Sequence, residues 1–190
     1  MQLSIEHDLF WTDWNDLAVQ IHKDNKAKGF WPADVSTRNI GEALCLVHSE
    51  LSEAIQAVVE DERDDKLTQY AAFDVEIVDA MIRLLDLSGA FHINFNEYEM
   101  SAFSPGRFTG IDTDIAEVRL ALDAALEAHR KSTVIPQGMY QGMLEWQHQI
   151  VWAFGILVGI CEKYGIDYDD VLRDKILFNR SRPHMHGKSY

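Results

Sequence analysis

The segment 68–88 constrains the fold most strongly, because apolar side chains cover most of the circumference of the helix that it predicts. On a helical wheel of about 100° per residue, its remaining charged side chains fall in one stripe about 80° wide, formed by Glu76, Asp79, Arg83 and Asp86. A helix that is apolar nearly all round is buried. We therefore predict that this helix lies in the core and that its charged stripe faces an internal polar site.

Five further segments show helical periodicity, and none shows the two-residue alternation of a strand bounded by hairpin turns. We predict an all-α fold with helices at 8–25, 38–61, 68–88, 114–131, 139–164 and 168–180. Thr37 or Ser36 is predicted to cap the second helix and Asp167 the last. Gly89 and Gly165 follow apolar helical stretches and are predicted to end their helices.

A chain of 190 residues is long enough for one domain with a sizeable core, and we predict a single domain over 1–190. Residues 90–112 are rich in aromatic and turn-forming residues and only weakly periodic. They indicate an insertion at about 89–138, between the acidic helices and the C-terminal helices. Long connections in compact domains are often functional, and a packed surface excursion without a role is the alternative.

The predicted helix 38–61 carries acids in an unusual position. Glu50 falls inside its apolar sector and Glu53 at the edge of that sector. Burying carboxylates is costly unless a cation neutralises them, and Arg83 is the only basic residue in the charged stripe of the helix 68–88. We therefore predict a site for a hard cation, Mg²⁺ or alternatively Mn²⁺, held by Glu50, Glu53, Glu76 and Asp79.

The charge balance and the cysteines limit the classes of partner. The formal net charge is -14, with 31 acidic and 17 basic side chains, which argues against binding a nucleic-acid polymer. Cys45 and Cys161 are isolated and indicate a reducing compartment, so we expect a cytoplasmic protein. We expect no signal peptide and no membrane span, since the apolar run Ile150 to Cys161 is too short to cross a bilayer.

The acids form two spaced motifs, Glu50-Leu-Ser-Glu53 and Glu76-Ile-Val-Asp79. This ExxE and ExxD pair resembles the signature of the MazG-like members of the all-α nucleoside triphosphate pyrophosphohydrolases, which include the dimeric dUTPases. The stretch NIGEALCLVHSELSEAIQAV is similar to the family's first motif helix, and DKILFNRSRPHMHGKSY is similar to the tail after its last helix. The resemblance covers roughly residues 15–88 and 150–188.

The resemblance implies a MazG-like helical bundle that assembles as a homodimer or homotetramer. It implies magnesium-dependent hydrolysis of a nucleoside triphosphate, a deoxynucleotide included, to the monophosphate and pyrophosphate, with nucleotide-pool cleaning as the role. The family's metal-binding acids map onto Glu50, Glu53, Glu76 and Asp79. We expect Glu53 to orient or deprotonate the attacking water, with Glu50 as the alternative.

The resemblance also implies substrate-binding residues. Family members contact the nucleotide through a Lys and an Asn, here Lys175 and Asn179, and recognise the base through His, Asn and Trp. With Arg83 as the basic group of the stripe, the expected substrate-binding residues are Lys175, Asn179, Arg182, Lys188, His22, Asn25, Trp31 and Arg83. Phe30 or Trp31 is expected to stack on the base. Aromatic side chains packed onto the core and a solvated basic tail are the simpler alternatives.

Two other functions compete with this one. A di-iron carboxylate bundle needs two ExxH motifs, and the chain has one, Glu145-Trp-Gln-His148. A non-catalytic acidic helical module would use the aromatic residues Trp146, Trp152 and Phe154 as an oligomer face. Pyrophosphate release and metal content distinguish the three functions.

Overall fold

The computed structural model describes residues 13–98, 110–136, 138 and 142–187. Within these ranges the chain is helical, and its only extended pairings are two isolated bridges. The helices are α1 (Trp14–Ala27), α2 (Ile40–Glu60), α3 (Ala72–Ala90), α4 (Ile111–Lys131), α5 (Glu145–Tyr164) and α6 (Tyr168–Ser181). Short 3-10 helices lie at Val35–Thr37, Phe95–Glu97 and His184–Gly187. The predicted all-α class is confirmed.

Helix α3 is the central element, as its sequence predicts. It packs against α1, α2, α5 and α6, and side chains such as Val78, Leu84 and Leu85 are fully buried. Burying so many apolar side chains from several directions is the largest stabilising contribution available to a domain of this kind. The charged stripe of α3 faces a cleft between the helices.

Helix α4 lies inside the predicted insertion but belongs to the core. It packs along α5 and also against α2, and Val118 on its apolar face is fully buried. At its first turn, the buried carboxylate of Asp114 accepts hydrogen bonds from Lys163 (2.5 Å) and Tyr164 (2.7 Å) at the end of α5. Residues 99–109 of the predicted insertion lie outside the described residues.

Two predicted helix ends are wrong. Asn39 caps α2, accepting a hydrogen bond from the Glu42 N–H (3.2 Å), because Ser36 and Thr37 already belong to a 3-10 turn that Asp34 caps. Gly89 does not end α3, which continues to Ala90. A Cβ atom at Gly89 would lie 2.2 Å from the carbonyl oxygen of Ala18, so this glycine permits the close approach of α1 and α3.

The remaining ends agree better with the predictions. Asp167 caps α6, accepting from the Asp170 N–H at 3.4 Å, and Gly165 ends α5 with a left-handed φ of 71°. Residues 8–12 and 139–141, where two helices were predicted to begin, lie outside the described residues. The described residues 68–71 and 142–144 are not helical, so α3 and α5 begin later than predicted.

No single helix among the described residues is long and apolar enough to cross a membrane. Helices α5 and α6 pass such a length and composition test only as a pair, and the chain bends by 118° between them.

Candidate functional site

Helices α2 and α3 bring three carboxylates together. Glu50 of α2 and Glu76 and Asp79 of α3 each offer one oxygen, and these three oxygens lie within 4.8 Å of one another. No other group of three or more potential metal ligands is found in the part of the chain that the structure describes. Glu50 is only 7% exposed, as its place in the apolar sector of α2 predicts.

Two of the three carboxylates have a basic partner. The Arg83 guanidinium contacts Oε1 of Glu50, and Nζ of Lys175 on α6 lies 2.8 Å from Oδ2 of Asp79. Lys175 is 6% exposed, so this pair is largely shielded from water. Arg83 is the only basic residue that the α3 stripe itself provides, and α6 supplies a second one, Lys175, from outside the two acidic helices.

Glu76 has no such partner. Its Oε2 atom is buried and has no hydrogen-bond partner among the described residues. Burial, reinforced by the charges of Asp79, Glu50 and Glu53, raises the pKa of Glu76 to about 8. A carboxylate in this position is destabilised when it is ionised unless a cation binds next to it.

Asp79 and Lys175 each shift the pKa of the other. Burial raises the pKa of Asp79 to about 6, although the Lys175 ammonium opposes that rise. Burial acts to lower the pKa of Lys175, but the charge of Asp79 and the hydrogen bond to it outweigh burial, and the pKa of Lys175 is raised. Each charge therefore stabilises the other against the cost of burial.

Glu53 is not one of the three clustered carboxylates. Its side chain is exposed at the rim of the cleft, where the Ser49 hydroxyl donates a hydrogen bond to its Oε1 atom (3.2 Å). The structure thus brings together three of the four predicted metal ligands. Glu53 is placed beside them, with access to solvent.

A cleft of about 740 Å³ contains all four acids and most of the other predicted site residues. Its lining includes Asn25, Trp31, Arg83, Lys175, Asn179 and Arg182. His22 is not part of the lining, but its ring contacts Trp31, which is. Lys188 is outside the described residues. Residues predicted from four separate segments of the chain therefore meet around one space.

The other end of the charged stripe forms a second polar cluster. The carboxylate of Asp86 accepts hydrogen bonds from Nε1 of Trp31 (2.9 Å), Nδ2 of Asn25 (2.8 Å) and Nδ1 of His22 (3.1 Å). Asp79 and Asp86 are seven residues apart on α3, which separates them by about 10 Å along the helix. The cleft therefore has an acidic end and an aromatic end.

The expected stacking role of Trp31 is constrained by its neighbours. Trp31 is 9% exposed, the His22 ring meets it edge-on at 4.8 Å, and the Arg38 guanidinium lies 5.7 Å from its ring centroid. Phe30 also lines the cleft and is only half-buried. Phe30 therefore offers more accessible aromatic surface to a ligand than Trp31 does.

The C-terminal segment after α6 is held against the end of α1. Nζ of Lys28 donates to the carbonyl oxygen of Arg180 (2.9 Å) and to that of Arg182, and the Met185 N–H donates to the carbonyl oxygen of Lys28 (2.8 Å). Arg182 and Met185 thereby form part of the cleft wall. Up to Gly187 this stretch is packed against the end of α1, and it is not the solvated tail of the simpler alternative.

The sequence prediction missed several cleft residues. In the connection between α2 and α3, Oδ1 of Asp64 accepts hydrogen bonds from the N–H groups of Lys66 (3.0 Å) and Leu67 (2.5 Å). This turn brings Asp64 and Lys66 to the cleft, together with Arg38 from the loop before α2. Loop residues carry no periodicity, so these three could not be found in the way that Asp86, already visible in the charged stripe, could.

The chain was compared with known proteins. No family model, no curated protein and no solved structure matches it. The assignment of a function therefore depends on the site itself.

The geometry gives little support to the two competing functions. Glu145 and His148 do not line the cleft, and the group of three carboxylates contains no histidine. Of the three aromatic residues proposed as an oligomer face, Trp146 and Phe154 are buried in the core of this chain, whereas Trp152 is 37% exposed.

The acidic end of the cleft could hold a metal cation. It offers three clustered carboxylate oxygens, the donor type that Mg²⁺ and Mn²⁺ prefer. Arg83 and Lys175 compensate two of the three charges, which leaves Glu76 and its unpartnered buried oxygen. The three acids could therefore hold a metal ion.

Proposed function

We propose that this protein hydrolyses a nucleoside triphosphate, a deoxynucleotide included, to the monophosphate and pyrophosphate, with Mg²⁺ bound by Glu50, Glu76 and Asp79. The observation that carries the proposal is the single cleft that joins these acids to an aromatic end about 10 Å away along α3. An elongated ligand with an anionic end and a flat apolar end is complementary to such a cleft. The ExxE and ExxD motif pair supports the same reaction.

Each end of the cleft has a distinct task in this proposal. A bound divalent cation would neutralise the triphosphate and polarise the phosphorus under attack. Arg83, Lys175 and Asn179 line the same cleft as the acids and would contact phosphate oxygens. Phe30, with Ile82 and Leu87 nearby, offers an apolar surface to the base.

Glu53 is the best placed group to accept a proton from the attacking water. It is beside the three clustered carboxylates but open to solvent, so it can exchange protons with bulk water. Glu50 is less suitable for this role, because Arg83 holds its carboxylate in an ion pair. We further propose nucleotide-pool cleaning as the biological role and a homo-oligomer as the working form.

The direct test is a nucleotide panel with pyrophosphate detection. Purified protein is incubated with the common ribo- and deoxynucleoside triphosphates, with dUTP and with modified triphosphates, each with MgCl₂ and with EDTA. We expect pyrophosphate and the matching monophosphate from at least one substrate, only in the presence of magnesium. Absence of release across the panel would favour a non-catalytic module, and two bound irons per chain would favour a di-iron protein.

Substitution of the clustered acids tests the site within the proposal. We expect Glu50→Ala and Asp79→Ala to reduce turnover by on the order of a thousandfold or more, because each removes a ligand of the metal that stabilises the charge developing in the transition state. Circular dichroism should show that both variants remain folded. Glu60→Ala, an exposed acid on α2 outside the cleft lining, is the matched control. Full activity in either cleft variant would remove that acid from the site.

A further inference from the structure

Asp86, at one end of the charged α3 stripe, is hydrogen-bonded to α1 and to the loop that follows it. Its Oδ1 atom is shared by His22 Nδ1 (3.1 Å) and Trp31 Nε1 (2.9 Å). Its Oδ2 atom accepts from Asn25 Nδ2 (2.8 Å), with Trp31 Nε1 also at 3.0 Å. One carboxylate therefore organises three side chains at the aromatic end of the cleft.

The chemistry of a carboxylate determines how these three side chains are oriented. An ionised carboxylate only accepts hydrogen bonds, so the amide nitrogen of Asn25 must face Asp86 and its amide oxygen must point elsewhere. For the same reason His22 carries its hydrogen on Nδ1, and the indole N–H of Trp31 is directed away from any ligand. Asn25 lines the cleft, so its amide oxygen is left to accept from a ligand, beside the second N–H of the same amide.

We propose that Asp86 is a positioning residue for nucleobase recognition, which holds Asn25 with its amide oxygen available to an N–H donor on the edge of the base. This inference rests on the proposed function, because it assigns the base to the aromatic end of the cleft. Asp86 does not itself touch the ligand, since its two oxygens are engaged by three donors. It acts through Asn25 and through the fixed plane of the Trp31 ring.

An amide at position 86 would disrupt this arrangement in a specific way. The Asp86→Asn side chain presents one acceptor oxygen and one donating NH₂ group to three donors. Asn25 is then free to rotate by half a turn and to present its own NH₂ group to the ligand. The expected consequence is a loss of discrimination between base edges, and not simply a loss of binding.

The test measures binding of deoxynucleoside monophosphates and of pyrophosphate by calorimetry in the presence of MgCl₂. The monophosphates are dAMP, dCMP, dGMP, dTMP and dUMP, and the readout is the ratio of the weakest to the tightest dissociation constant. Asp86→Asn and Asn25→Ala are compared with Trp31→Phe, which keeps an aromatic ring and the Asn25–Asp86 hydrogen bond. Asp123→Asn, an exposed acid on α4, is the control for the same chemical change.

We expect Asp86→Asn and Asn25→Ala each to reduce the discrimination ratio by about tenfold, the effect of one well-placed hydrogen bond. Their affinity for pyrophosphate, which reports on the acidic end, should stay within about twofold of the wild-type value. Trp31→Phe should weaken all five monophosphates by a similar factor and leave the ratio unchanged. Asp123→Asn should change nothing. Because Asn25→Ala leaves Asp86 in place, the prediction can still be tested if Asp86→Asn does not fold.

Unchanged discrimination in folded Asp86→Asn and Asn25→Ala would overturn the inference, as would a wild-type protein that binds the five monophosphates equally or binds none. The proposed hydrolysis is judged separately from the role of Asp86. Pyrophosphate release with unchanged discrimination in the variants would preserve the function and reject the role of Asp86. Selective monophosphate binding without hydrolysis of any triphosphate would preserve the role of Asp86 and reject the enzyme.

Discussion

At the scale of single residues, Glu76 is the acid of the cleft whose surroundings oppose its charge most strongly. Burial and three neighbouring carboxylates raise its pKa to about 8, and its Oε2 atom has no partner among the described residues. The pKa of Asp79 is raised only to about 6, because the Lys175 ammonium 2.8 Å away opposes the effect of burial. In the metal-free protein Glu76 therefore retains its proton at neutral pH.

The pKa of Glu76 makes the stability of the metal-free protein depend on pH. Between the ordinary value of 4.5 and the folded value of about 8, the unfolded chain has released a proton that the folded protein still binds. The free energy of unfolding therefore falls as the pH rises through this window. Glu76→Gln removes this effect, so the variant should be more stable than the wild type at pH 8, by on the order of 1–3 kcal/mol, and similar to it at pH 4.

Urea denaturation in EDTA at the two pH values measures this difference. Glu60→Gln, an exposed acid of α2, should show no comparable gain at pH 8. A stability gap between Glu76→Gln and the wild type that is the same at both pH values would show that Glu76 is not held protonated by its surroundings.

The residues of the site could be predicted from the sequence to the extent that helical periodicity encodes them. The wheel of α2 predicts a buried Glu50, and the wheel of α3 predicts that Glu76, Asp79 and Asp86 share one face. The pairing of Asp79 with Lys175 could not be predicted in the same way, because it depends on how α6 packs against α3. Periodicity describes one helix at a time and contains no information on its neighbours.

At the scale of elements, Gly89 illustrates a limit of local sequence patterns. A glycine after an apolar helical stretch is typical of a helix end, yet α3 continues through this residue. Gly89 faces α1, and a Cβ atom there would meet the backbone of Ala18 at 2.2 Å. Helix termination and close helix packing favour the same residue, and only the tertiary structure separates the two causes.

The close approach of α1 and α3 predicts the effect of a methyl group at position 89. We expect Gly89→Ala to destabilise the protein by about 1–3 kcal/mol, because a backbone atom cannot move aside as a flexible side chain does. This loss outweighs the gain of about 1 kcal/mol that alanine brings to a helix interior. The measurement is the free energy of unfolding in urea.

Gly41→Ala, in the first turn of α2, is the matched control for this substitution. Its added Cβ would lie 3.3 Å from an Asn39 side-chain oxygen and 3.5 Å from a Leu126 methyl group, and both can adjust. We expect its stability to change by less than about 1 kcal/mol. Equal effects of the two substitutions would mean that α1 and α3 are not in the tight contact described.

At the scale of the whole molecule, the cleft exists because elements distant in sequence converge on α3. Helix α2 supplies Glu50, α6 supplies Lys175, and the loop after α1 supplies Trp31. The number and approximate extents of the helices could be predicted from periodicity. The packing of α4 into the core could not be predicted. The residues 90–112 that lead into it lack a regular pattern, and α4 is held by contacts with α5 and α2.

The same convergence predicts that magnesium stabilises the entire fold. With a net charge of -14 the chain repels itself, so any salt that screens charge should raise its thermal midpoint. Magnesium bound by Glu50, Glu76 and Asp79 should add a specific contribution, about 2.7 kcal/mol at a metal concentration of 100 times the dissociation constant. At pH 8 and equal ionic strength, the midpoint should therefore rise further in MgCl₂ than in NaCl.

This excess should shrink at pH 5, because protons then compete with the metal for Glu76 and Asp79, whose folded pKa values are about 8 and about 6. Glu76→Gln should lose most of the excess at pH 8 while it keeps the ordinary response to NaCl. Differential scanning calorimetry of both proteins in both salts makes the comparison. If MgCl₂ and NaCl raise the wild-type midpoint equally, magnesium only screens the acidic surface, and the three clustered carboxylates are not its site.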